Sequence, residues 1–139
     1  MVVLRTETKT RARALQLLYA WELHGKPPIQ QVAGDIAGWT GRWVRGLEAA
    51  EKKAAAVSAS VSSLDDEITR AADNWRFDRI GIIERNILRL ALHEMDEAEV
   101  PPKVTISEAI RLAHWFAGPQ SPSFVNGVLD GIARNRGNL

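Results

Sequence analysis

The segment His93-Glu94-Met95-Asp96-Glu97 begins as a zinc-binding helix of the His-Glu-x-x-His type would, and stops short of one. That chemistry needs two imidazoles four residues apart, so that both reach one metal from one face of a helix. Here the fifth residue is Glu97. The other histidines, His24 and His114, are distant in sequence, and the chain has no cysteine, so no metal site is expected. Asp65-Asp66-Glu67 places three acids side by side. At the start of a helix they suit the positive end of the dipole better than a catalytic pair. Gly38 and Gly41 flank Trp39 without the spacing or the lysine of a phosphate loop. No nucleophile stands beside a base in any arrangement that chemistry could use. The chain is expected to be no enzyme and to hold no cofactor.

Binding chemistry is better represented. Lys and Arg total 18 against 17 Asp and Glu, a net charge of only +1, yet the first 21 residues hold Arg5, Lys9, Arg11 and Arg13 against Glu7 alone. A balanced body with a basic end suits a polyanion held at one place; a solvated helix end is the plainer alternative. Arg134 and Arg136 add a mildly basic tail. Five tryptophans are many for 139 residues. Indoles stack on unpaired bases, but they also fill cores. Trp21, Trp43, Trp75 and Trp115 fall at apolar helical spacing or at helix ends, which favours the core for most of them. Phe124, in the first turn of a helix, either packs inward or projects toward a ligand.

A chain of 139 residues suits one domain, 1–139, with a sizeable core. It has no run of 18 apolar residues, so no membrane helix is expected. Its start lacks the basic-then-apolar order of a secretory signal. Together with the absence of cysteine, this fits a cytoplasmic protein.

The elements that must position these residues are helices, because the apolar period is helical almost throughout and no strand pattern appears. The pattern predicts a first helix over residues 8–23, ended by Gly25 and Pro27-Pro28. On it Arg5, Lys9, Arg13 and Gln16 share one side, opposite Leu15, Leu18 and Tyr19, and neither Arg11 nor Arg13 is expected deep in the apolar face. A short helix follows over 29–37. An Ala-rich helix covers 41–61, and another, capped by Ser63, covers 64–75. Asp78 is expected to cap a helix over 79–98 whose wide apolar arc marks it as central. Glu94 falls inside that arc and should find a cation or free amides, for which the next helix start is a source. Pro101-Pro102 is read as a terminator. Thr105 and Glu108 have the spacing of a capping box, with Val104 and Ala109 as its staple, for a helix over 105–117. Gly118-Pro119 breaks that helix. Ser121-Pro122 reads as an N-cap followed by proline at the first position of the last helix, which runs to about 136. Gly46, Gly81 and Gly127 are placed inside helices, where glycine costs about 1 kcal/mol against alanine. Gly127 is the strongest candidate for a close helix crossing.

Several of these blocks also carry a resemblance. Arg11-Ala12-Arg13-Ala14-Leu15-Gln16-Leu17-Leu18-Tyr19, Trp75, the run from Glu84-Arg85-Asn86-Ile87-Leu88-Arg89 to Glu94, Pro101-Pro102-Lys103-Val104, and above all Phe124-Val125-Asn126-Gly127-Val128-Leu129-Asp130 are similar to the NusB family of bacterial transcription antitermination factors. The resemblance implies an all-α fold of six to seven helices, arranged as two packed three-helix bundles. It implies binding of the boxA element of ribosomal RNA leader transcripts, together with the small-subunit ribosomal protein that doubles as NusE, within an RNA polymerase antitermination complex. The implied RNA contacts are Arg5, Lys9, Arg11, Arg13, Lys103, Gln120 and Phe124. The implied protein-partner contacts are Tyr19 and Glu84. Homodimers occur in the family and would cover the RNA surface. Two other readings share the fold: the N-terminal RNA-binding module of some ribosomal RNA cytosine methyltransferases, and a helical adaptor that binds only protein. The chain shows no methyltransferase half and no catalytic cysteine, which disfavours the first; RNA binding separates the second.

Overall fold

The computed structural model describes residues 6–40, 47–72 and 76–138. Seven α-helices, and no strand among the described residues, form two compact units, Met1–Ala59 and Ser60–Leu139. The first contains α1 (Thr6–Leu23), α2 (Ile29–Thr40) and α3 (Leu47–Ala59). The second contains α4 (Val61–Ala71), a 3-10 turn (Phe77–Arg79), α5 (Ile82–Glu97), α6 (Pro102–Phe116) and α7 (Ser121–Asn135). The N-terminal unit is the expected three-helix bundle, whereas the C-terminal unit has four helices.

In the N-terminal unit α1 ends where Gly25 and Lys26 take left-handed conformations, φ 82° and 63°. The His24 and Lys26 amides close the helix on the carbonyls of Ala20 and Trp21. Pro27-Pro28 cannot continue it, and the Pro28 carbonyl instead receives the first amides of α2 from Gln31 and Val32. α3 meets its neighbours through Leu47, Ala50, Ala54 and Val57, all buried. Alanine at the two middle positions lets helix backbones approach closely.

α5 is the centre of the C-terminal unit: nine of its residues are buried, among them Ile87, Leu88, Leu90 and Leu92. Asn86, Arg89 and Glu94 are buried with them. Arg89 grips Asp65 of α4 with both arms, Nε to Oδ1 at 2.6 Å and Nη2 to Oδ2 at 2.8 Å. Its third nitrogen donates to Asn86 Oδ1 at 2.9 Å, and Asn86 donates in turn to the Ile82 carbonyl at 2.8 Å. The Phe77 ring covers the guanidinium, 5.6 Å from its centroid. A charge this deep is tolerable because its donors are matched and its counter-ion is paired bidentately. Glu94 is buried as the arc requires, and it too is partnered.

A second clasp closes the unit. Arg136, just past α7, donates from Nε and Nη2 to Glu67 of α4, the first contact at 2.8 Å, and from Nη1 it meets Asp96 of α5 at 2.9 Å. The Arg136 hydrogen bond holds the Glu67 carboxyl below its ordinary value and, conversely, raises the Arg136 guanidinium. Asp65 and Glu67 therefore serve distant arginines, not the dipole of their own helix. The basic tail is likewise neutralised, since Arg134 pairs with Asp130 at 2.8 Å.

Several local expectations change. Asp78 does not cap α5; it pairs with Arg76 at 3.0 Å, and Gly81 is the N-cap. Gly81 thus stands at the helix start, not inside it. Pro101-Pro102 starts α6 instead of ending α5, because prolines at a helix start omit amides that would have no partner anyway. The end of α5 falls to Ala98, left-handed at φ 54°. Thr105 is therefore inside α6 and 1% exposed, its hydroxyl unpartnered, so there is no capping box. Gln120 precedes Ser121 as the cap of α7. The break between α3 and α4 is at Ser60, and Ser63 donates back to the Ser60 carbonyl without capping anything. Gly127 is exposed, and a methyl there would meet nothing within 4 Å, so it marks no tight crossing. Gly46, Trp43 and Trp75 lie outside the described residues.

Candidate nucleic-acid interface

α1 carries the basic patch of the N-terminal unit. Arg5 lies outside the described residues. Lys9 is exposed and Arg13 half-buried, on the side where the helical period places them. Arg11 differs: it is 8% exposed and partnered. With Ala14, Leu15 and Leu18 it forms an i, i+3, i+4, i+7 set, the pattern of an inward stripe, so it belongs to the buried face after all. Tyr19 sits at the edge of that face with 39% of its surface open, and Leu23, one turn on, is also exposed.

The C-terminal unit holds a cleft of about 180 Å³, lined by Arg79, Ile80, Gly81, Glu84, Gln120, Ser121 and Phe124. It lies where α5 and α7 begin. Phe124 is half-buried, lines the cleft and has an interaction partner. Gln120 is exposed, and its amide both donates and accepts. The Glu84 carboxylate folds back over Gly81, so closely that a β-carbon at 81 would stand 2.5 Å from Oε2. This position suits an acid in the first turn, where the helix end is positive. The cleft thus offers a flat ring, an amide, an acceptor-only carboxylate and the Arg79 cation.

Lys103 stands apart from this cleft. It borders a groove of about 330 Å³ between α6 and α7 with Ile106, Asn126, Asp130 and Arg134. Of the residues read from the sequence, the structure therefore gathers Glu84, Gln120 and Phe124, and separates Lys103 from them. Arg79 was missed, although the spacing Arg76, Arg79, Arg85 around a helix start was a visible basic signal. Of the four tryptophans for most of which the core is expected, Trp21 is buried, whereas Trp115 is 43% exposed, with the Arg111 guanidinium 5.9 Å from its ring centroid. The described residues contain no cluster of three or more metal-ligating side chains, and no helix among them is long and apolar enough to cross a membrane.

The NusB family profile matches residues 8–134. The chain belongs to the NusB family. The family consists of non-enzymatic transcription antitermination factors. The chain is 36% identical over 132 residues to the transcription antitermination protein NusB of Solibacter usitatus, covering 91% of this chain and 87% of that one. Its fold is similar to that of the T. maritima NusB structure, with a TM-score of 0.80, 30% identity and coverage of 96% and 93%. A crystal structure of NusB with NusE and double-stranded RNA shares the fold at a TM-score of 0.79 and 24% identity, over 96% of this chain and 99% of that one.

Proposed function

We propose that residues 1–139 work as one RNA-binding module, which recognises a boxA-type single strand of ribosomal RNA leader transcripts together with NusE. The observation that carries this reading is the cleft of the C-terminal unit, which in a NusB-family chain sets the Phe124 ring beside Gln120. An unpaired base stacks on such a ring, and its edge finds hydrogen-bonding groups nearby. In the N-terminal unit Lys9 and Arg13 supply phosphate contacts, and Arg5 adds another by its place in the sequence. Arg11, being buried, contributes by holding the inner face of α1. Lys103 adds a phosphate contact from its own groove. Phosphate contacts fix position, and the base contacts supply selectivity.

NusE is assigned to the surfaces around Tyr19 and Glu84. A basic ribosomal protein complements the Glu84 carboxylate, and an exposed tyrosine offers a flat body with a polar tip. Bound in this way, the chain joins the RNA polymerase antitermination complex, which places it in the cytoplasm.

Titration with a short boxA-type single strand, with and without NusE, tests the reading. About four to six phosphate contacts give a log–log salt slope of about −3 to −4, and NusE should strengthen binding. Glu84→Lys should weaken the NusE complex, leave the chain folded, and lower RNA affinity only when NusE is present. Absence of RNA binding both with and without NusE would contradict the proposal.

A further inference from the structure

The outer face of α6 is not explained by the fold. Thr105, Ile106, Ala109, Leu112 and Ala113 turn inward and are buried. Lys103, Ser107, Arg111, His114 and Trp115 occupy the opposite arc and are exposed. A solvated helix face has no need of an indole, since any good helix former would serve there. Trp115 nevertheless stands with 43% of its surface in water. Its orientation is supported on two sides: Arg111, one turn earlier, lies 5.9 Å from the ring centroid, and Phe116 meets it edge-on, centroids 6.4 Å apart at 82°.

Charge points to the kind of partner. The acid nearest the pair is Glu108, 3.7 Å from Arg111, and its side chain is only 13% exposed, against 44% for Arg111. What the face presents to solvent beside the ring is therefore the Arg111 guanidinium, more open than its acid, with Lys103 adding positive charge about three turns before the ring on the same helix. Bases splayed from a single strand stack on aromatic rings and on guanidinium planes, while their phosphates seek the cations. An apolar protein segment would use the ring but leave the cations unmatched.

We propose that the Arg111–Trp115 pair on the exposed face of α6 is a second stacking subsite, which holds an unpaired base of the bound RNA outside the Phe124 cleft. The inference rests on the reading of this chain as an RNA binder. The subsite lengthens the stretch of single strand that the C-terminal unit holds, and its stacking contribution is insensitive to which base is present.

The test is titration of the full chain with single-stranded boxA-type RNA in the absence of NusE, using wild type, Trp115→Ala, Trp115→Phe and Arg111→Gln, with melting of each variant as the folding control. Trp115→Ala should weaken binding about ten-fold, the scale of one lost base–aromatic stack, and Trp115→Phe should stay within about three-fold of wild type. Arg111→Gln should fall between them, and it carries the test if Trp115→Ala melts early. Wild-type affinity in both Trp115→Ala and Arg111→Gln overturns the subsite while leaving the RNA reading intact. A Phe variant as weak as the Ala variant overturns stacking as its basis. In a parallel pull-down with NusE, loss of NusE binding by Trp115→Ala with RNA affinity unchanged overturns it in favour of a protein-docking face. Failure of the wild type to bind RNA removes the functional reading and the subsite together.

Discussion

α5 and α6 are neighbours of nearly equal length, 16 and 15 residues, and they use charge in opposite ways. α5 turns Arg89 inward, matches it with Asp65 and Asn86, and covers it with Phe77. α6 keeps its interior apolar apart from the Thr105 hydroxyl and sends Lys103 outward at its start and Arg111 outward beside an indole near its end. Composition alone does not separate the two helices, since both mix cations, acids and apolar residues. Where each charge lies relative to the apolar stripe decides whether an arginine holds the fold or is available to a partner. The same rule divides α1, where Arg11 is buried and Lys9 is open.

The contrast breaks most visibly at Arg89. Arg89→Ala leaves the partly exposed Asp65 carboxylate and the buried Asn86 amide without their donor, empties the space of a fully buried side chain, and should cost about 3 kcal/mol, read by denaturant unfolding. Arg89→Met, which fills the volume without charge, should cost less when combined with Asp65→Ala than Arg89→Ala alone does. A cost for Arg89→Ala no larger than that of an exposed residue would mean that the buried network is not structural.

Arg136→Gln comes next, at about 1 kcal/mol near neutral pH, because its ion pairs are partly exposed. The effect should depend on pH. Glu67 titrates below its ordinary value of 4.5 in the folded chain, so its contribution is full above that value. It is lost as pH falls through the lowered folded value, where unfolding leaves Glu67 free to take up a proton. Wild type and variant should therefore converge in stability in acid.

A smaller effect of opposite sign is expected where α5 ends. Ala98 has φ 54°, a conformation that glycine adopts without penalty, so Ala98→Gly should raise stability by about 1 kcal/mol. Thermal melting measures it directly. The smallest change in stability belongs to the outer face of α6. Lys103→Ala should alter stability by less than about 0.5 kcal/mol, and should flatten the RNA salt slope by about 0.7 if the lysine holds one phosphate of a single strand.

Much of this arrangement could be read in the sequence, because helices announce themselves by period. The wide arc of α5 and the stop at Gly25 and Pro27-Pro28 follow from local pattern, and the serine-rich stretch signals a break after α3 without fixing it at Ser60. Ends were harder to read. Two prolines stop one helix and start the next with equal propriety, and only the left-handed Ala98 shows which role Pro101-Pro102 has. Pairings were out of reach, since Asp65 meets Arg89 and Glu67 meets Arg136 across 24 and 69 residues of chain. Arg11 and Trp115 were different in kind. The 11-14-15-18 stripe and the 111–115 spacing are both present in the sequence, and position on the wheel, not residue type, decides which way each side chain turns. Gly127 follows the same rule: one turn from Gly131 on α7, it meets no obstacle with a methyl added, and neither does Gly131.

Amide NMR of the labelled chain, titrated to saturation with boxA-type single-stranded RNA, tests most directly that the open surfaces bind and the buried network does not. The expected result is perturbation at Gly81, Gln120 and Phe124 around the cleft and at Lys103, Arg111 and Trp115 along α6, with the amides of Ile87 to Leu90 unmoved. Perturbation confined to other surfaces, or none at saturating RNA, would contradict it.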